Sequence, residues 1–565
     1  LGDVYKRQDI ARAPPLEPRQ QSAMREEFGE DAEYVSDLSE SQSAYLFAWL
    51  RTGYMDPGHV QIQATVEGEF DNARFEVALE SVVNRHEALR TGIHWHNRDL
   101  PVQVVYCKNE MKWSQVPISE KDSQMTVDRY LAEDRARRMQ LDMSQVWRIR
   151  VFRIAENKSI ICWSFHHSLV DGWSAAIVVR AMVKEMQRLI RVGNTDDRPE
   201  PNLQADLLPT PDAVRYRDYL YWMRTRKLEQ EESKWKAYMA KLGVVNGGVQ
   251  LQDSLQVSAT RSVSIAVGGA DWKSLHDSIS RHGTTVSRLI HACWGLVLSI
   301  ACENRTLGFS TTVSGRNLPI EGAGEIVGQL VNYFPVYFDS GERMDVETIL
   351  GNLTQAFALI AGSEHVPASR LMEWSGGQGQ TAMCAIKGFE LPTLVMVENF
   401  PWQEAANETG EGIMLSSFQR RGDTRCFSES GTASVFPVTL VAVPESDSLQ
   451  LQLHFREAMF ERDAASELLQ AIHAAALRWS QDGIGESDSF LESAVLNFFS
   501  EIARKVEVEN TAAVAIRAPQ SPTEKALASI WGQLFDLEVD DVHSDFFSLG
   551  GTSLIAVQMV ESVRK

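Results

Sequence analysis

The sequence is short of cysteine. Six occur in 565 residues (Cys107, Cys162, Cys293, Cys302, Cys384 and Cys426), scattered and without a C-x-x-C pair. That distribution argues against zinc and disulfide frameworks and reads as reduced thiols in a cytoplasmic protein. Basic charge is also scarce. Lysine and arginine number 55 against 76 aspartates and glutamates, a net charge of −21. No Lys/Arg run could track a phosphate backbone, so nucleic acid is not an expected partner. No apolar stretch approaches the roughly 20 residues of a membrane span, and the opening residues lack the apolar segment of a secretory signal. A G-x-x-x-x-G-K phosphate loop is absent as well, which removes the commonest mark of an ATP-using domain.

What is present describes a soluble globular protein, with 44% hydrophobic and 23% charged residues. The length is too great for a single core and predicts two to four lobes. Leu1 to Gln8 resembles read-through from a sequencing adapter and is set aside. Residues 1–33, with Pro14, Pro15 and Pro18, are expected to be a flexible leader. From Tyr34 to Asp482 helical periodicity alternates with β-rich runs, predicting an α/β fold with mixed sheets. Predicted strands include 60–66, 159–165, 394–397 and 449–455, and a closing helix covers 460–480. Residues 483–520 read as a linker containing one helix over 490–504. Ser521, Pro522 and Glu524 then stand as N-cap, first-turn proline and capping-box partner of an amphipathic helix.

Two segments carry chemistry. His166-His167-Ser168-Leu169-Val170-Asp171-Gly172-Trp173-Ser174 follows an apolar strand and precedes a helical pattern, so the histidines are predicted at a strand-to-helix turn. Such a turn holds side chains rigidly at a sheet edge, and Gly172 supplies backbone freedom or a close approach there. Alone, a histidine pair in this position reads as hydrogen-bonded structure or half of a metal site. The second segment, Asp545-Phe546-Phe547-Ser548-Leu549-Gly550-Gly551-Thr552-Ser553-Leu554, places a serine after two glycines at the start of an apolar helical pattern. Free N–H groups at a helix start favour a nearby phosphate, although Ser553 alone could equally be a plain N-cap.

Further motifs occur in a telling order. The chain contains R-H-E-A-L-R-T from Arg85 to Thr91, Y-R-D-Y from Tyr216 to Tyr219 with Trp222, V-S-G-R from Val313 to Arg316, and V-G-Q-L-V-N from Val327 to Asn332 with Pro335. With the double-histidine segment, these resemble the motif series of nonribosomal peptide synthetase condensation domains, over roughly Tyr34 to Asp482. The serine segment resembles the signature of peptidyl carrier domains.

The resemblance implies two chloramphenicol-acetyltransferase-like lobes in a V-shaped pseudodimer, with an N-lobe over about 34–205 and a C-lobe over about 206–482. A truncated carrier, part of a four-helix domain, would occupy 521–565. It implies that a donor acyl or peptidyl thioester on one carrier is condensed with an acceptor amine on another. His167 would lie where the two arms meet, as a base or a positioning group, with His166 its packed neighbour. Asp171 would be a structural anion paired with an arginine, Arg85 or Arg316, and Trp173 and Asn332 would support the tunnel. Ser553 would carry covalent 4′-phosphopantetheine, and no metal is implied.

Implied partners are an upstream donor carrier, an acceptor carrier, a phosphopantetheinyl transferase and an adenylation domain acting in trans. About forty residues separate the two units, too few for an adenylation domain in cis, although Val508 to Ala512 resembles the stretch that usually leads into one. Ester formation, epimerization and a non-catalytic carrier-binding scaffold remain as alternatives. Asn332 favours condensation over epimerization, whose domains tend to carry an aromatic-threonine block there. Tyr337 stands where the family often has arginine, a departure that bears on substrate subtype.

Overall fold

The computed structural model describes residues 12–51, 56–107 (except 57, 69 and 99), 111–193, 214–240, 249–250, 260–341, 346–374, 384–398 (except 387 and 388), 414–421, 436–481, 489–509, 517–535 and a few isolated positions beyond. The carrier-like motif over 545–554 lies outside them.

The first lobe is built on a five-stranded sheet in the order Met414–Arg421, His59–Glu67, Lys158–His166, Trp147–Ala155, Trp113–Pro117. Its pairings are antiparallel except the last, which is parallel. Helices Asn72–Arg85 and Gly172–Gly193 bury apolar residues such as Phe75, Leu79, Val178 and Met186 in a core shared with strand residues Ile62, Trp163 and Phe165. Asp71 starts the first of these helices by accepting the Arg74 N–H at 2.7 Å, an ordinary N-cap.

The second lobe is a six-stranded mixed sheet in the order Asn332–Asp339, Thr306–Val313, Thr393–Val397, Val438–Pro444, Ser448–Arg456, Thr260–Gly268. Strand Ser448–Arg456 buries Leu449, Leu451, Leu453 and Phe455 against a helical layer that includes Val286–Ala301 and Arg462–Gln481. The period of two legible in its sequence is the period of its burial from Ser448 to Leu453, while His454 and Arg456, on the face expected to be wet, are buried as well. Among the described residues no single helix is long and apolar enough to cross a membrane.

Three features differ from the sequence expectation. Residues 18–28, expected in a flexible leader, form helix Pro18–Phe28, and Met24 is buried beside Ala32 and Val104. The helix expected in a linker runs Ser489–Glu509, and its Leu491, Ala494, Val495, Phe498 and Phe499 belong to the second-lobe core. The Phe498 ring stacks on Phe460 with centroids 4.2 Å apart and planes 4° from parallel. Strand Met414–Arg421 falls within the expected C-lobe by sequence but forms an edge of the first-lobe sheet beside His59–Glu67. Chain order does not determine which sheet edge a strand satisfies; its backbone hydrogen bonds do.

If Ser489–Glu509 is a core element, Phe498→Ala should destabilise the second lobe by about 3 to 5 kcal/mol, as large-to-small core substitutions of an aromatic do. Urea denaturation checks this, and a loss below about 1 kcal/mol would mean that the helix is only loosely attached.

Candidate active site

The site forms where the strand Lys158–His166 ends and the helix Gly172–Gly193 begins. Asp171 occupies the N-cap position of that helix: its Oδ1 accepts the Ser174 N–H at 2.8 Å and its carbonyl accepts the Ala175 N–H at 2.9 Å. The same carboxylate reaches the other lobe. Arg316 donates through Nη1 to Oδ2 and through Nη2 to Oδ1, both at 2.9 Å, a bidentate ion pair in which Asp171 is fully buried and Arg316 nearly so. The backbone N–H groups of Leu330 and Val331 donate to Oδ2 at 3.0 and 3.3 Å.

Burial pushes the Asp171 carboxyl upward, but Arg316 and these N–H donors outweigh it and hold it below the usual carboxylate range. Arg316 also donates to Ser174 Oγ, the Ser314 carbonyl and the Ile326 carbonyl. Ser174 Oγ in turn donates to the Gly328 carbonyl at 2.8 Å and accepts the Gly328 N–H at 2.9 Å.

Two glycines make this seam possible. Gly315 has φ +68°, and a Cβ there would lie 1.9 Å from the Leu330 carbonyl oxygen. A Cβ on Gly328 would meet the Tyr216 ring at 2.1 Å. Tyr216 donates its hydroxyl to the Gln329 carbonyl at 3.0 Å, so the Y-R-D-Y helix closes over the V-G-Q-L-V-N segment. The V-S-G-R and V-G motifs are thus backbone approaches, which only glycine permits.

His167 is held between these parts. Its N–H donates to the Gly58 carbonyl at 2.7 Å, and its ring stacks on Tyr45 with centroids 5.1 Å apart and planes 13° from parallel. It keeps 7% exposure, whereas His166 and Asp171 have none. His166 places Nε2 3.2 Å from Asp56 Oδ1, and its Nδ1 lies 2.7 Å from Ser168 Oγ.

Trp173 donates Nε1 to the Gly324 carbonyl at 3.0 Å and faces the Arg316 guanidinium, 5.8 Å from the ring centroid. Asn332 donates to the Glu364 and Val366 carbonyls at 3.1 and 2.7 Å, tying the end of its strand to a neighbouring loop. Tyr337 donates its backbone N–H to the Tyr238 hydroxyl at 2.7 Å.

Two expectations are corrected. Arg85 is exposed at the end of its helix and is not the partner of Asp171; Arg316 is. The buried arginine of that motif is Arg90, which pairs with Glu33, while Glu87 accepts from Arg215 and Arg217. R-H-E-A-L-R-T therefore ties the chain start to the Y-R-D-Y helix instead of reaching the histidine loop. Gly172 opens its helix without a left-handed φ, so of the two uses expected of it the backbone freedom is not in use.

Sequence reasoning missed Tyr45, Asp56, Gly58 and Ser174. Their only signal was local: a polar D-P-G-H stretch before an apolar strand, and the serine third after the capping aspartate.

No group of three or more His, Cys, Asp or Glu side chains that could hold a metal occurs among the described residues. Of the carrier-like unit, helix Pro522–Phe535 is described, and its expected capping box is present: Glu524 N–H donates to Ser521 Oγ at 3.1 Å, and Ser521 N–H donates to the Glu524 carboxylate at 2.9 Å.

Two α/β lobes bolted through a buried ion pair, with a histidine beside it, define a two-lobed protein. The family profile described as condensation domain matches residues 37–483, so the chain belongs to the condensation-domain family of nonribosomal peptide synthetases, which are acyltransferases. A second profile, phosphopantetheine attachment site, matches residues 525–565, which include Ser553.

Among similar proteins are tyrocidine synthase 3 of Brevibacillus parabrevis, 22% identical over 81% of this chain and 6% of that protein, and surfactin synthase subunit 3 of Bacillus subtilis, 23% identical over 77% of this chain and 32% of that protein. Bacitracin synthase 3 of Bacillus licheniformis is 26% identical over 58% of this chain. The chain spans 5% of that relative's length.

The first condensation domain of the CDA synthetase superposes with a TM-score of 0.60 at 14% identity, covering 80% of this chain and 97% of that one. The X-domain from teicoplanin biosynthesis superposes with a TM-score of 0.59 at 17% identity, covering 79% and 95%. The fold is therefore the two-lobed, chloramphenicol-acetyltransferase-like one that the motifs implied.

Asp171→Asn keeps the shape but removes the charge opposite Arg316, and a buried pair broken on one side costs about 3 to 5 kcal/mol. Because the folded carboxyl is held low, its contribution is present above the unfolded value near about 4 and is lost as pH falls through the folded value. Urea denaturation should show a wide gap between wild type and variant at pH 7 that narrows below about pH 4. A gap independent of pH would contradict the ion-pair account.

Proposed function

We propose that this chain joins a carrier-bound acyl or peptidyl thioester to a carrier-bound amine, and that His167 is the residue at the reacting atoms. The observation that carries the reading is the contrast within one loop. His166, Ser168 and Asp171 are wholly buried and committed to structure, while His167 is the polar residue from His166 to Asp171 that keeps some exposure, with its ring plane fixed against Tyr45. In the reaction a C–N bond forms at the thioester carbonyl, the C–S bond breaks and a thiol leaves. The amine loses a proton while negative charge grows on the carbonyl oxygen.

An imidazole fixed at that point can take the proton or orient the amine lone pair, and holding both reactants in one seam supplies the orientation term. His166 and Asp171 act on the loop rather than on substrate, and Arg316, Trp173 and Asn332 hold the walls around it. Donor and acceptor carriers are the partners this chemistry requires. The interval between residues 483 and 525 is too short for an adenylation domain, which supports loading by one acting in trans. Ser553 is the proposed attachment point, modified by a phosphopantetheinyl transferase; the group supplies a flexible thiol arm for an acyl thioester.

The test uses purified chain with a donor-loaded and an acceptor-loaded carrier and mass spectrometry of the acceptor. Wild type should yield the amide, and His167→Ala should lower the rate about 10²- to 10⁴-fold with an unchanged circular dichroism spectrum, the usual range for a general acid–base group. Undiminished turnover in the variant would remove His167 from the reaction. Carrier binding without transfer by wild type would favour a scaffold, and exchange of the donor α-proton for deuterium an epimerase. Ser553→Ala should abolish the mass gain on incubation with coenzyme A and a phosphopantetheinyl transferase; persistence of the gain would place the group elsewhere.

A further inference from the structure

Behind the histidine loop lies a buried set of polar groups that the proposed reaction does not use. Asp56, Gly58 and His59 run along the lead into strand His59–Glu67, which pairs with the histidine strand so that His59 stands opposite His166. Asp56 is fixed by the Met139 N–H, which donates to Oδ2 at 2.7 Å, and its other oxygen faces His166 Nε2 at 3.2 Å, an ion-pair distance whose geometry falls short of a hydrogen bond.

On the far side of that ring the Ser168 N–H donates to Nδ1 at 3.2 Å. A nitrogen that accepts a backbone N–H carries no proton, so the ring proton lies on Nε2, toward the carboxylate. Gly58 leaves the ring its space, since a Cβ there would come within 2.2 Å of Nε2. The Gly58 carbonyl also accepts the N–H of His167 at 2.7 Å. One short segment thus grips both histidines.

We propose that Asp56 is a positioning residue for condensation: it fixes His166 as the Nε2–H tautomer, which leaves Nδ1 free to accept the Ser168 N–H and so sets the turn that presents His167. This rests on the reading of His167 given above. A ring protonated on Nδ1 instead could still donate to Ser168 Oγ, 2.7 Å away, but would point a proton at the Ser168 N–H, leave that backbone donor without its acceptor and loosen the turn immediately after His167.

The surroundings agree. Burial pushes the Asp56 carboxyl up, but His166, the Met139 N–H and His59 more than offset it, so it stays in its charged form. Burial lowers His59 against the opposing pull of Asp134 and Asp56. Asp134 is engaged by Ser164 Oγ at 2.6 Å, Arg148 Nε at 2.7 Å and His59 Nε2 at 3.2 Å, and Asp56 is the carboxylate that faces His166.

The experiment combines long-range ¹⁵N correlation spectra of histidine-labelled protein with steady-state kinetics. His166 signals are identified by their loss in His166→Gln. In wild type they should show an unprotonated Nδ1 and a protonated Nε2. Asp56→Asn, whose amide can donate to Nε2, should shift the ring toward the other tautomer and lower kcat about 10-fold or more, while KM for both loaded carriers changes less than about 2-fold.

A wild-type His166 protonated on Nδ1, or an Asp56→Asn variant with unchanged kcat, would overturn the proposal. The wild-type spectrum, once its His166 signals are assigned with His166→Gln, needs no turnover. Together with the Asp56→Asn spectrum it therefore decides the role of Asp56 even if the condensation assay fails, and failure of that assay counts against the reading of His167 instead.

Discussion

The ion pair between Asp171 and Arg316 is the constraint on which the site depends. One partner caps the helix that follows the histidine loop, and the other lies in the V-S-G-R turn of the second lobe. Removing both charges from water is expensive, and such a pair is retained only where its geometry is complete. Here it is: both carboxylate oxygens face the guanidinium, and two further backbone N–H groups donate to Oδ2. A pair of this kind adds little net stability over an apolar contact of the same shape. What it supplies is a single relative position for two lobes that carry different halves of the site.

From that pin the rest follows in order. Ser174 and Gly328 exchange two hydrogen bonds beside it, Trp173 reaches the Gly324 carbonyl, and Tyr216 packs on Gly328 from the second-lobe side. On the first-lobe side Gly58 and Asp56 hold the histidine backbone and the His166 ring. His167 lies among these contacts, its ring stacked on Tyr45 and its residue 7% exposed.

Much of this was legible in the sequence because it is local. A strand of apolar residues ending in His166-His167, an aspartate one residue before a helical pattern, and Ser521 with Glu524 three residues on are short-range signals, and each became the element it announced. The failures were long-range. Arg85 and Arg316 were equal candidates for Asp171, since sequence separation says nothing about which arginine crosses a lobe boundary. Strand Met414–Arg421 joined the first-lobe sheet because that edge had unpaired backbone groups to satisfy, which no local pattern encodes. Prolines near residue 18 suggested a loose leader, but Pro18 is the first residue of a helix, where its missing N–H costs nothing. Asp56 stood only in a short polar stretch before a strand, and the ring it faces lies 110 residues away in the chain.

The central claim, that one buried pair across the lobe boundary holds His167 in working position, is tested most directly by a double-mutant cycle on kcat/KM. Asp171→Asn, Arg316→Gln and the double variant are compared with wild type in condensation of loaded carriers. If the two residues act as a unit, the double variant loses about as much as either single one, giving a coupling of about 1 to 3 kcal/mol. Losses that simply add would show that the two side chains serve the site independently and would contradict the account.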